Sequence, residues 1–352
     1  MPAKRSWSAF LSHASTLMPG LAIVFGMALV VVIGGQLFYG SGASPLMLAI
    51  LLGIIGRVII GAPLIIQPGV LFAQKRLLRI AIILLGVQLT FADLASLSAT
   101  ILGVIVASVV CTLVFCSWVG GLLGVDSALT RLIGAGAAIC GISAIVATNT
   151  VVEAPEEDVT YAIATATAFG SISIFVYPVL AAIVSMQPTP YAVWVGSSLH
   201  EVAQVIAGGF VYGNEAGEFA VLVKLTRVLM LLPLILALAW LYRAKSRDDA
   251  VSKPSVSETI RNFPFPLFIL GFVLMIGINS LELVPPSTKA SLTVVSAFFF
   301  AMALAALGLE TDLKRLRQRG LRPLFAGILA WVFISAFSFA LVQLLPAPHR
   351  IG

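Results

Sequence analysis

An all-α polytopic membrane protein of ten or eleven transmembrane helices is the fold class this sequence predicts, on three observations. Sixty per cent of its 352 residues are hydrophobic and only 10% are charged, where a soluble domain carries roughly a quarter. Apolar stretches of about 20 residues, the length that crosses a hydrocarbon core, recur from one end to the other. The Lys and Arg residues collect in alternate gaps between those stretches. The spanning elements must be helices, because an open strand edge in lipid leaves backbone groups unpaired, and the short alternating segments of a β-barrel are absent.

In chain order the apolar runs give eleven spans, near 17–38, 44–62, 69–90, 98–122, 131–152, 159–186, 191–212, 218–242, 263–283, 290–308 and 323–346. Lys4 and Arg5 precede the first span. Lys75, Arg76 and Arg79 open the third, and Arg131 opens the fifth. Arg243, Lys245, Arg247, Lys253 and Arg261 follow the eighth, while Lys314, Arg315, Arg317, Arg319 and Arg322 follow the tenth. The other gaps hold Lys289 but are otherwise neutral or acidic. Glu153, Glu156, Glu157 and Asp158, with Pro155 among them, read as a solvated outer loop. Basic loops stay cytoplasmic, so the N-terminus is expected inside and the C-terminus outside. The net charge of +6 is therefore an orientation signal, and a nucleic-acid partner is not expected.

The first run, Leu17–Leu37, is long for a signal-peptide core and lacks a small-residue cleavage site, so it reads as a retained span. Cys111, Cys116 and Cys140 lie within spans with no CxxC spacing. Neither a structural disulfide nor a zinc site is expected, and no metal or cofactor is implied. One hydrophilic linker, Arg243–Asn262, contains Pro254 and has no apolar period. It divides an eight-span section, 1–242, from a three-span section, 263–352, within one integral membrane domain. A weak echo crosses the linker: Gly86–Leu94 (GVQLTFADL) and Gly308–Leu313 (GLETDL) both pair Gly with Thr and Asp. Read as two helix starts capped by Asp, on opposite sides of the bilayer by the charge rule, they suit an inverted repeat; two ordinary capped turns read equally well.

Three stretches carry polar groups where lipid disfavours them. Span five contains Gly134, Gly136, Gly141, Ser143, Thr148, Asn149 and Thr150 around Cys140. Gly141 weakens helix propagation and Ser143 can bond backbone groups freed by a break. A broken helix presents N–H groups and a dipole that suit an anion, whereas Gly and Ala also serve close packing. Span seven contains His200, Glu201 and Gln204, with His200 and Gln204 one helical turn apart. An imidazole and a carboxylate within the membrane mark a polar pathway unless they sit at its boundary. Whether span five or span seven is interrupted is open from sequence. Lys224 and Arg227 lie at i, i+3 in span eight, placed to attract an anion, to pair with Glu201, or to snorkel to the outer interface. No GxSxG, Walker, HExxH or DxDxDG motif occurs, so an enzyme has no catalytic constellation to stand on.

Together, GAAICGISAIVAT at Gly136–Thr148, SLHEVAQVIAGG at Ser198–Gly209 and KLTRV at Lys224–Val228 resemble the signature regions of the YeiH family of bacterial membrane proteins. Ser44–Ile50, Pro68-Gly69 and Lys75–Leu89 add to the resemblance, which runs from about residue 19 onward in the same order. Asn149-Thr-Val-Val departs from it, standing where a more hydrophobic continuation is the pattern. The resemblance implies an inner-membrane sulfate exporter related to the bile acid/arsenite/riboflavin transporter superfamily, with inverted repeats and broken helices. The expectation is a secondary transporter for sulfate or a related sulfur oxyanion. Cys140, Gly141, Ser143, Asn149, His200, Glu201, Gln204, Lys224 and Arg227 are its candidate binding residues. The lipid bilayer is its surrounding partner, and the choice of coupled proton or sodium ion and any homo-oligomeric state stay open. A passive anion channel and an intramembrane enzyme are the alternatives.

Overall fold

The computed structural model describes residues 2–37, 44–61, 63–245, 266–311 and 320–344. Most of the linker, and the basic residues Arg247, Lys253, Arg261, Lys314, Arg315, Arg317 and Arg319, lie outside the described residues. Every regular element among the described residues is helical. The chain runs through α1 (Pro2–Leu37), α2 (Pro45–Ile60), α3 (Gln67–Phe72), a π turn at Ala73–Leu77, α4 (Leu78–Leu85) and α5 (Phe91–Ala95). It continues with α6 (Ala99–Leu122), α7 (Ser127–Ala138), α8 (Ile142–Val152), α9 (Glu156–Ile183), α10 (Pro188–Ser198) and α11 (Val202–Gly209). The remaining helices are α12 (Asn214–Leu229), α13 (Leu231–Lys245), α14 (Phe268–Ser280), α15 (Pro286–Glu310) and α16 (Leu321–Gln343).

Among the described residues, six segments are long and apolar enough to cross a bilayer: Ser15–Gly34, Ala99–Leu122, Glu156–Ile183, Asn214–Leu241, Pro286–Glu310 and Leu321–Gln343. The other expected spans are short or interrupted. Large apolar side chains such as Val58, Leu64, Trp118, Ile183 and Leu274 stand exposed. So much exposed apolar surface is ruinous in water but ordinary against acyl chains.

The helices gather into two compact units, each assembled from two separate stretches of the chain. The first comprises residues 1–94 and 267–311 and is built on glycine contacts. A Cβ placed on Gly20 of α1 would fall 2.8 Å from the Cα of Gly69 in α3. One placed on Gly53 of α2 would fall 2.9 Å from the Cα of Gly308 in α15. Helix backbones therefore touch, the packing that substitutes in lipid for a hydrophobic drive. Thr90 and Asp93 form a reciprocal cap at α5: the Thr90 N–H donates to Asp93 Oδ2 at 2.7 Å and the Asp93 N–H to Thr90 Oγ1 at 3.3 Å. Asn279 closes the same corner with a 2.8 Å bond to the Leu89 carbonyl. Only the first copy of the sequence echo can be followed to its cap. Gly86–Leu94 leads into a capped helix start, whereas Gly308 and Glu310 lie inside the last turn of α15, and Asp312 is outside the described residues.

The second unit comprises residues 95–266 and 312–352, hence α6 to α13 and α16. Leu132, Ile145, Tyr161, Ala166 and Ala330 belong to one buried apolar cluster. A polar seam ties α16 to α9 and α10. The Trp194 indole donates to the Ser335 carbonyl at 2.9 Å, Trp331 donates to Ser173 Oγ at 2.6 Å, and Tyr177 stacks on Trp194 at 4.1 Å. The acidic run is a loop only as far as Pro155 and is helical beyond it, with Glu153, Glu156 and Glu157 exposed. Glu153 turns the chain in a left-handed conformation, and Glu156, Glu157 and Asp158 form the first turn of α9. There the positive end of the helix dipole favours carboxylates, and Asp158 is buried.

Direct backbone contact leaves no room for a side chain. Gly308→Leu is expected to destabilise the first unit by about 1–3 kcal/mol or more, seen as a lower Tm in detergent. Gly26→Leu, where a Cβ meets nothing within 4 Å, should melt like the parent protein.

Candidate functional site

Span five breaks after Ala138 and resumes at Ile142. Gly141, at φ 61° and ψ −121°, makes the restart, in a region of backbone space that disfavours any residue with a Cβ. Span seven breaks after Ser198 and resumes at Val202, with Leu199 and Glu201 extended. Each break strands carbonyls at the end of one half-helix and N–H groups at the start of the next, and in lipid each unpaired group costs several kcal/mol. The two breaks meet. A Cβ on Gly141 would lie 2.8 Å from Glu201 Cγ and 3.6 Å from the His200 carbonyl oxygen.

Two cations from α12 answer the stranded carbonyls. The Lys224 ammonium donates to Ile139 O at 2.6 Å and to Leu199 O at 2.5 Å, one carbonyl from each break. Arg227 donates through Nε to Ala138 O at 2.5 Å, through Nη2 to Ala137 O at 2.5 Å and through Nη1 to Leu199 O at 3.0 Å. Both side chains are 0% exposed. They do not snorkel, and their hydrogens point at peptide carbonyls. Their donors cap helix C-termini, where positive charge is favoured, a role the sequence expectation of an anion or Glu201 partner did not include.

The half-helix N-termini are treated unequally. Glu201 caps α11, its carboxylate accepting from the Gln204 N–H, while the Gln204 amide oxygen accepts from the Glu201 N–H at 2.9 Å. Thr167 of α9 donates its hydroxyl to Glu201 Oε1 at 2.8 Å, and Gln204 Nε2 donates to Thr167 O at 3.2 Å. The Gln204 amide lies where a side chain on Gly170 would be. At α8 no side-chain oxygen caps the helix; the buried Cys140 sulfur faces the Ala144 N–H. His200 is 2% exposed and its Nδ1 has no hydrogen-bond partner.

Of the nine candidates, Cys140, Gly141, His200, Glu201, Gln204, Lys224 and Arg227 gather at the crossing. Ser143 lies in the first turn of α8 but is exposed, on one face with the exposed Val146 and Thr150. Asn149 stands at the far end of α8, where its Oδ1 accepts from the Ala154 N–H at 2.8 Å and shapes the turn into α9. Sequence reasoning missed Thr167 and Gly170. Their signal was the run ATATAFGS at Ala164–Ser171, small and polar enough to mark a face that accepts another helix closely.

Fold and site together define a polytopic helical membrane protein whose two interrupted helices meet at buried cations and a carboxylate. The chain belongs to the family described as conserved hypothetical protein 698, the UPF0324 or YeiH family, whose family model matches residues 19–327. It is 38% identical over 345 residues to a UPF0324 membrane protein of Pseudomonas aeruginosa, across 92% of this chain and 94% of that one. It is 37% identical over 329 residues to the UPF0324 inner membrane protein YeiH of Escherichia coli, covering 90% and 92%. The YeiH of Salmonella typhimurium is 36% identical over 338 residues, covering 92% and 94%. No solved structure matches.

Removing the guanidinium strips the Ala137 and Ala138 carbonyl oxygens of their donors and leaves the Leu199 oxygen to Lys224 alone. Arg227→Leu is expected to cost about 3–5 kcal/mol and to abolish the monodisperse peak in detergent chromatography. Arg227→Lys should recover little, since an ammonium cannot reproduce the planar fork.

Proposed function

We propose that this protein is a secondary transporter of the bacterial inner membrane that exports a small anion, sulfate or a related sulfur oxyanion, by alternating access. The observation that carries the reading is the junction of two interrupted helices, both bound through Lys224. Solute sites in transporters are built from such discontinuous helices, whose N-termini address anionic groups.

A charge inventory supports an anion over a cation. Each half-helix end carries about half an elementary charge, and the two C-termini and two N-termini at the junction cancel. Lys224, Arg227 and Glu201 then leave a formal excess of one positive charge, which a bound oxyanion offsets. The first turn of α8, with Ser143 exposed beside it, is the proposed anion cradle. Its Ile142, Ser143 and Ala144 N–H groups precede the helix's own carbonyl acceptors. The choice of a sulfur oxyanion follows the YeiH resemblance, and tetrahedral oxyanions suit a fan of N–H donors. The alternation of basic gaps favours a cytoplasmic N-terminus and a periplasmic C-terminus.

Ser143→Leu places an apolar side chain at the cradle without touching either cation. Labelled-sulfate flux through proteoliposomes should fall at least tenfold while Tm stays at the parent value. Accumulation against a gradient is expected; ohmic current without accumulation would replace the transporter by a channel. Undiminished flux in Ser143→Leu would remove α8 from the pathway.

A further inference from the structure

Resting on the anion-transport reading, we infer that Glu201 is a tethered competitor of the solute, and that protonation of its carboxylate accompanies each anion bound. The carboxylate stands where an anion belongs. It caps the first turn of α11 through the Gln204 N–H, and its Cγ lies 2.8 Å from where Gly141, the residue that opens α8, would carry a side chain. One protein anion thus occupies one half-helix N-terminus and lies against the entrance to the other. An oxyanion arriving at α8 meets a carboxylate a few ångströms away, and two like charges at that separation in a dry site do not coexist.

Three charged side chains meet here, and only one is free to yield. Lys224 and Arg227 hold four carbonyl oxygens between them, Ala137, Ala138, Ile139 and Leu199. Moving or neutralising either strands peptide groups in the membrane. Among the described residues Glu201 takes only a threonine hydroxyl, at 2.8 Å, and one backbone N–H. The Thr167 hydroxyl can turn to accept from a protonated carboxyl just as it now donates. The Glu201 N–H keeps its bond to the Gln204 side chain in either state, so the α11 entrance survives neutralisation of the carboxylate.

The groups that face Glu201 are few. Lys224 of α12 is the cation acting on it, Thr167 comes from α9, and the Cys140 thiol from the α7–α8 break. The adjacent His200 faces both Lys224 and Arg227, so a proton there adds a third positive charge and removes no competitor. A proton on Glu201 removes the junction's one negative charge. The step balances: one proton joins the carboxylate as one anion reaches α8, and both leave together. Each anion therefore crosses with a proton.

The test uses full-length protein in detergent with sodium sulfate as probe, against sodium gluconate at equal ionic strength. Thermal stabilisation gives the apparent sulfate Kd from acid to alkaline buffer. One coupled proton makes that Kd rise about tenfold per pH unit above the carboxylate's transition. Glu201→Gln should bind sulfate at the acid-limit affinity throughout, and His200→Asn should keep the wild-type slope. Wild-type protein is also tested alone: in proteoliposomes a pH-sensitive dye should record one proton moved per labelled sulfate. Sulfate flux without proton movement, a flat wild-type profile, or a slope that persists in Glu201→Gln overturns this inference and leaves the transport reading standing. Neither stabilisation nor flux with sulfate overturns both.

Discussion

A peptide carbonyl at the end of a half-helix has no water to turn to inside a bilayer, and much of the second unit follows from how that is met. Four such carbonyls, Ala137, Ala138, Ile139 and Leu199, are bonded by two side chains of one helix. Burying an ammonium and a guanidinium within a turn of each other is expensive by itself. Five charge-assisted hydrogen bonds into the negative ends of two helices offset that cost. The arrangement works only if both breaks reach the same spot. That is why Gly141 abuts Glu201 and why the Gln204 amide can rest on Gly170.

The two compact units are built on different principles. In the first, helices meet backbone to backbone at Gly20 with Gly69 and at Gly53 with Gly308. Its buried polar side chains among the described residues are Ser44 and Ser296, and Ser296 bonds the Ala81 carbonyl at 2.9 Å. In the second, Asp158, His200, Gln204, Lys224 and Arg227 are all buried. Shape alone holds an apolar interface, which tolerates little change in volume. A polar interface depends on the partners of its charged groups, and so responds when one charge is altered.

Legibility in the sequence followed the same division. Apolar spans were readable because hydrocarbon thickness sets their length, and Gly141 among small residues pointed to a break in span five without deciding it. Lys224 and Arg227 stood out as two cations at i, i+3, yet their role did not. The oxygens they bind belong to alanines, an isoleucine and a leucine 25 to 90 residues away, and a carbonyl leaves no mark on residue identity. Asn149 looked like part of the same site, being polar and nearby in sequence. The first two turns of α8 carried it away from the break to the helix's far end. The acidic run misled in the opposite way: Pro155 suggested a loop, but proline also starts helices and carboxylates favour their first turn.

Why α11 is capped by a carboxylate and α8 by no oxygen has a geometric answer. The cap position of α8 is Gly141, whose φ of 61° excludes residues with ordinary side chains, and whose missing Cβ is the space that Glu201 Cγ occupies. A serine or aspartate there would supply the usual acceptor but would push the two breaks apart and pull Leu199 O away from Lys224. The contact that lets one lysine serve both helices therefore denies α8 a cap of its own. The sulfur of Cys140 is a weak substitute, so the dipole and N–H groups of that turn stay undercompensated beside two fixed cations. An uncapped helix start in such surroundings has an affinity for negative charge that the chain itself meets only once, through Glu201.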